Sequence, residues 1–81
     1  MPKKNIDLSL LSFYKQIGTN VKKAREERKI SQLELSQRLG YKSVSVISKS
    51  EICIEKKHFN LEHLYKIAQE LDIDLCKLIQ T

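Results

Sequence analysis

Glycine and proline are scarce, at two and one in 81 residues. That scarcity argues against a turn-rich β architecture, which spends both at its reversals. Cysteine is scarce too. Cys53 and Cys76 stand 23 positions apart, and no Cys-x-x-Cys pair occurs. A structural zinc site wants four close ligands. Cys53, His58 and His63 are regularly spaced, but no fourth ligand accompanies them, so no metal or cofactor is expected. The bland reading is two reduced, partly buried thiols in a cytosolic protein. No apolar run approaches the length that crosses a bilayer. Met1-Pro2-Lys3-Lys4 is not followed by a signal-type apolar stretch, so the expected location is the cytoplasm. There is no Gly-rich phosphate loop, no evident pair of catalytic carboxylates and no Cys–His nucleophile arrangement. The expectation is therefore a protein that is not an enzyme. The length predicts one domain over 1–81, with an N-terminal extension over about 1–12 and no room for a second functional domain. Domains of this size commonly need a disulfide, a metal or a partner subunit.

What is present in excess is positive charge. Fifteen Lys and Arg against ten Asp and Glu give +5 and a pI near 9.3. The charge is graded along the chain. Residues 1–30 carry eight basic and three acidic groups, residues 31–58 five and three, and residues 59–81 two and four. A polyanion would meet the first two segments, and the C-terminal quarter would face away from it.

Apolar spacing predicts five helices. Ile6, Leu10, Tyr14, Ile17, Val21 and Ala24 recur in steps of four and three over 6–28, flanked by Leu11 and Phe13. Asp7 is a plausible N-cap, and Gly18 in mid-helix would let another helix approach closely. Ser31-Gln32-Leu33-Glu34 has the form of a capping box, with Ile30 and Leu35 as its hydrophobic staple. Leu35 and Leu39 face inward, and Gly40 ends the helix in the left-handed conformation. Ser43 is the cap candidate for a third helix, which Ile47, Glu51 and Ile54 could carry through Ile54. Asn60 caps a fourth, with Phe59 stapled to Leu64 and an inward face of Leu61, Leu64, Ile67, Ala68 and Leu71. Asp74 caps a short fifth, with Ile73 stapled to Leu78.

The second and third helices form one geometric unit. Small Ser36, Gly40 at the bend and a branched apolar residue beyond it suit two helices crossing steeply through a short turn. The third helix then presents Ser43, Ser45, Ser48 and Lys49, side chains that suit base edges and phosphates in a major groove.

The ordered set Ile17-Gly18, Val21, Ala24-Arg25-Glu26-Glu27, Ser31-Gln32-Leu33-Glu34-Leu35-Ser36, Leu39-Gly40, Ile47-Ser48-Lys49-Ser50-Glu51, Leu61 to Ala68 and Leu71 to Leu75 resembles the phage-repressor/Cro-type helix-turn-helix family (XRE family). The resemblance covers about residues 13–79. It implies an all-α, compact five-helix DNA-binding domain, acting as a homodimeric transcriptional regulator on pseudopalindromic double-stranded DNA. Carried over residue by residue, it implies base contacts from Val44, Ser45, Ser48 and Lys49. It implies backbone contacts from Gln32, Lys42, Ser43, Lys56 and Lys57. Arg25 and Glu51 match a buried ion pair between helices 1 and 3. A dimer surface is expected at Leu75, Leu78 and Ile79, or alternatively at the N-terminal Ile6, Leu8, Leu10 and Leu11.

Three departures from the family pattern stand out. Gly40 to Ile47 is one residue longer than usual, so Val46 competes for the core position. Ser50 replaces an apolar residue. Glu51 to Leu61 is about two residues longer, and Lys56-Lys57-His58 lies within it. Bland readings stand beside these. Lys56-Lys57 could be a solvated loop, and Ser45 and Ser48 an exposed polar face. Lys3-Lys4 and Lys22-Lys23 read as solvated, Tyr14 and Tyr65 as packing residues, and His58 and His63 as surface residues. A protein-interaction module such as an antitoxin, with a protein partner, is the alternative to a DNA-bound regulator.

Overall fold

The computed structural model describes residues 8–81. The expected Asp7 cap, Ile6 and the Lys3-Lys4 pair lie outside the described residues. Five helices follow in order: α1 (Leu8–Glu27), α2 (Gln32–Arg38), α3 (Ser45–Ile52), α4 (Leu61–Leu71) and α5 (Leu75–Leu78). No strand occurs among the described residues.

Helix α1 is continuous from Leu8, but only its second half is core. Ile17, Gly18, Val21 and Arg25 are buried, whereas Leu8, Leu10 and Phe13 are exposed. Lys29 closes it in the left-handed region (φ 57°), and the Ile30 amide returns to the Arg25 carbonyl at 3.2 Å.

At the start of α2 the Ser31 hydroxyl accepts from the Glu34 amide at 3.0 Å. The second half of the expected capping box is not made. Glu34 instead accepts from Arg38 one turn on, at 2.7 Å. Ile30 and Leu35, the staple pair, are both buried. Gly40 takes φ +79°, and the Tyr41 amide behind it bonds back to the Ser36 carbonyl at 2.9 Å. A β-carbon at Gly40 would meet nothing. The need there is conformational, since a left-handed residue costs L side chains roughly 1–2 kcal/mol.

Ile47, fully buried, takes the core position of α3, and Val46 is only half-buried. The longer turn is absorbed before the helix. Val44 already has helical dihedrals at the N-cap position, and the Ser43 hydroxyl accepts from the Ser45 amide at 3.0 Å. The helix does not continue to Ile54. Cys53 turns left-handed (φ 56°), and the Ile54 amide closes on the Lys49 carbonyl at 3.2 Å.

Asn60 and His63 complete the capping box of α4. The Asn60 side chain accepts from the His63 amide at 2.8 Å, and the Asn60 amide donates to His63 Nδ1 at 3.1 Å. Leu64, Ile67, Ala68 and Leu71 face inward as expected, but Leu61 does not. At the first position of the helix it lies on the outer side and is 74% exposed. Asp74 caps α5 through the Cys76 amide at 3.0 Å.

The core gathers Ile17 and Val21 of α1, Ile30, Leu35, Ile47, Phe59, the inner face of α4, and Leu78. Asn20 ties the C-terminal end to α1, donating to the carbonyls of Leu78 (3.1 Å) and Gln80 (2.7 Å). Gly18 fixes how closely α3 can lie. A β-carbon there would collide with the Glu51 carbonyl and come within 2.8 Å of the Ser50 carbonyl. Ser50, at a position where an apolar residue was expected, is also buried.

Candidate nucleic-acid interface

An ion pair beneath the surface orients α3. Arg25 Nε donates to Glu51 Oε2 at 2.8 Å and its Nη2 to Oε1 at 3.1 Å, a two-pronged contact between α1 and α3. The third guanidinium nitrogen donates to the Ile30 carbonyl at 2.8 Å. The two side chains are 8% and 1% exposed. Burying both charges is costly, and only dense hydrogen bonding offsets that cost. Gln32 supplies one more bond, from Nε2 to Glu51 Oε1 at 2.8 Å. The amide expected at a DNA backbone is therefore engaged on its inner side. Gln32 links the first turn of α2 to the base of α3.

Ser45, Lys49, Lys56 and Lys57 line one cleft of about 630 Å³. Val46, Ser50, His58, Asn60 and His63 complete its wall. The structure thus brings together four of the residues singled out for base or backbone contact. Ser43 joins them through its hydroxyl, 2.7 Å from that of Ser45. Val44, Ser48 and Lys42 do not line the cleft. Val44 and Ser48 are half-buried and Lys42 is exposed.

The loop after α3 is shaped by left-handed backbone at Cys53, Glu55 and Lys56. Among the side-chain contacts that hold it, two were not anticipated. Lys49 Nζ meets Glu55 Oε1 at 2.6 Å. His58 stacks on Tyr14 of α1, with ring centroids 3.8 Å apart and planes 6° apart. Spacing gives no hint of either, because one partner of each lies in an irregular loop. His63 sits edge-on to Tyr41 and Phe59. Burial, opposed by the nearby Glu62, holds its pKa below the ordinary histidine value. Burial also raises the Cys53 pKa, which keeps that group a thiol. Among the described residues, no three His, Cys, Asp or Glu are grouped to hold a metal. No helix among them is long and apolar enough to cross a membrane.

The expected dimer residues are divided by the fold. Leu78 is completely buried in its own core and is not available to a partner, because α5 docks through it. Leu75 is half-buried and Ile79 is 37% exposed. Ile79 borders a nearly wholly apolar groove with Phe13, Tyr14, Ile17, Leu61 and Leu64.

The chain matches the family model described as helix-turn-helix over residues 21–78. It belongs to the helix-turn-helix family. The match runs from Val21 in α1 to the end of α5, so it spans every element around the cleft and leaves out residues 8–20 of α1, the buried Ile17 and Gly18 among them. Within that match, α2, the turn from Gly40 to Val44 and α3 form the helix-turn-helix unit. Membership of this XRE-type family makes the chain a DNA-binding regulatory domain. No curated protein and no solved structure matches the chain.

Proposed function

We propose that this protein is a sequence-specific regulator of transcription that binds pseudopalindromic double-stranded DNA as a homodimer, with α3 in the major groove. The observation that carries the reading is the cleft in which Ser45 and Lys49 of α3 stand with Lys56 and Lys57 of the following loop. Two of these are placed along a helix fit for base edges, and two on a segment fit for phosphates. Val44 at its N-cap and Ser48 within it extend the base-reading set of α3. Gln32, Lys42 and Ser43 extend the backbone set around the start of α2 and the turn. Arg25 and Glu51 keep the angle between α1 and α3 that aims it.

Dimer contact falls to Ile79 and Leu75, joined by the exposed Phe13 and Leu61 beside the apolar groove. The net negative balance of residues 59–81 suits a surface turned from DNA. Selection from random duplex DNA tests the whole reading, because one experiment yields the site, its symmetry and its half-site spacing. The expected result is a two-fold symmetric site with half-sites about one helical turn apart. Recovery of no preferred sequence would overturn it.

A further inference from the structure

We propose that Glu55 is a specificity-determining residue that withholds Lys49 from DNA phosphates and releases it to a base. This rests on the reading of α3 as the recognition helix. Lys49 lines the cleft beside Lys56 and Lys57, yet its ammonium lies 2.6 Å from the Glu55 carboxylate. The loop is built to keep that carboxylate there. Cys53 and Ile54 both donate to the Lys49 carbonyl, so the loop starts by folding back on the same residue. Glu55 (φ 55°) and Lys56 (φ 61°) then take consecutive left-handed conformations, and the Lys57 amide closes on the Ile54 carbonyl at 3.0 Å. Farther along, the His58–Tyr14 stack anchors the segment to α1. Glu55 is thus presented to Lys49 by the backbone, while Lys56 and Lys57 are exposed.

The pair itself is solvent-exposed, with side-chain exposures of 32% and 60%. Exposed ion pairs are weak. A partner that offers two aligned acceptors, such as the O6 and N7 edge of guanine, can displace the carboxylate. A phosphate on random DNA offers a screened charge without that geometry, and Lys49 gains little by leaving Glu55 for it. Glu55 therefore costs affinity on every sequence, but costs most where no fitting base waits. Its charge lowers non-specific binding more than specific binding.

The test compares wild type with Glu55→Gln. Each is titrated on the duplex recovered by wild-type selection and on a scrambled duplex of the same composition, over a range of salt. Glu55→Gln should tighten binding to both, by roughly tenfold on the scrambled duplex and threefold or less on the selected one. The specificity ratio then falls. The non-specific salt slope should steepen by about 0.9 for each protomer bound, as freed Lys49 takes a phosphate. In a Lys49→Gln background, Glu55→Gln should leave the ratio unchanged, which separates the pairing from a general charge effect. Matched circular dichroism and melting curves check that the variants fold alike. Equal tightening on both duplexes, or an unchanged non-specific slope, would overturn the proposal while leaving DNA recognition by α3 intact. A wild type without sequence preference would sink both.

Discussion

Glu51 makes three hydrogen bonds through two oxygens, and a carboxylate so placed cannot be removed cheaply. Its loss would leave the Arg25 guanidinium buried beside Ile30 without a counter-charge. Glu51→Ala should destabilise the fold by ~3–5 kcal/mol, the range for breaking one side of a buried pair. Chemical denaturation measures it, and a loss under 1 kcal/mol would show the pair to be solvated. Gly18 invites a sharper test, because two effects of opposite sign meet there. Alanine in mid-helix gains about 1 kcal/mol over glycine. Against that, its β-carbon collides with backbone carbonyls of Glu51 and Ser50, which cannot rotate away as a side chain would. Overpacking of this kind costs ~1–3 kcal/mol. Gly18→Ala should therefore lower the melting temperature and, by pushing α3 off α1, weaken DNA binding more than it weakens the fold. A raised melting temperature would mean that α1 is not tightly packed on α3. The mid-helix glycine was readable as a site of close approach. That α3 is the helix it meets was not, since the contact joins residues more than thirty positions apart.

Helix starts were the most legible elements, because an N-cap is chemistry within three residues. Ser31, Asn60 and Asp74 each accept a backbone amide where the sequence placed a cap. The reciprocal bond is less legible. Glu34 has the spacing for it but finds Arg38 on the next turn, whereas His63 makes it at the same spacing. The choice depends on what else lies within reach. The His63 bond carries a consequence for pH. Nδ1 accepts from the Asn60 amide, so it holds a lone pair, and the ring is neutral with its proton on Nε2. Burial, the larger cause, favours the same neutral form and lowers the pKa from 6.5. The unfolded chain therefore binds a proton first as pH falls. The stabilisation is complete above about pH 6.5, is lost as pH drops toward the lower folded value, and levels off below it. His63→Gln keeps an acceptor at that position and removes the titration. Its melting temperature should gain on wild type steadily below pH 6.5 and run parallel to it above pH 7.5. A gap independent of pH would show that His63 does not titrate between the two states.

At the scale of the molecule, the five-helix order and the charge gradient were legible because both are sums over many residues. The loop from Cys53 to Asn60 was not. Its order comes from left-handed backbone, a ring stack onto α1 and an ion pair to α3, none of which follows a period. Sequence could place Lys56 and Lys57 in a loop, but not show that the loop is held to the cleft. That difference can be measured. Phosphate contacts release counterions, so each lysine that makes one adds about 0.9 to the slope of log affinity against log salt. Lys56→Gln with Lys57→Gln removes two charges per chain without asking a new side chain to adopt a different backbone. If two protomers bind with both loops engaged, the slope should flatten by about 3.6, equally on a selected and a scrambled duplex. A flattening of about 1.8 would mean two phosphate contacts instead of four, from both lysines of one protomer or from one lysine in each of two. An unchanged slope would show that the loop does not touch phosphate, and the cleft would then owe its affinity to α3 alone. The number therefore reports whether the loop grips and how many phosphates the loops hold between them. It does so without relying on Ile79, Phe13 or Leu61, whose substitution would disturb the apolar face of the domain as well as any contact between copies.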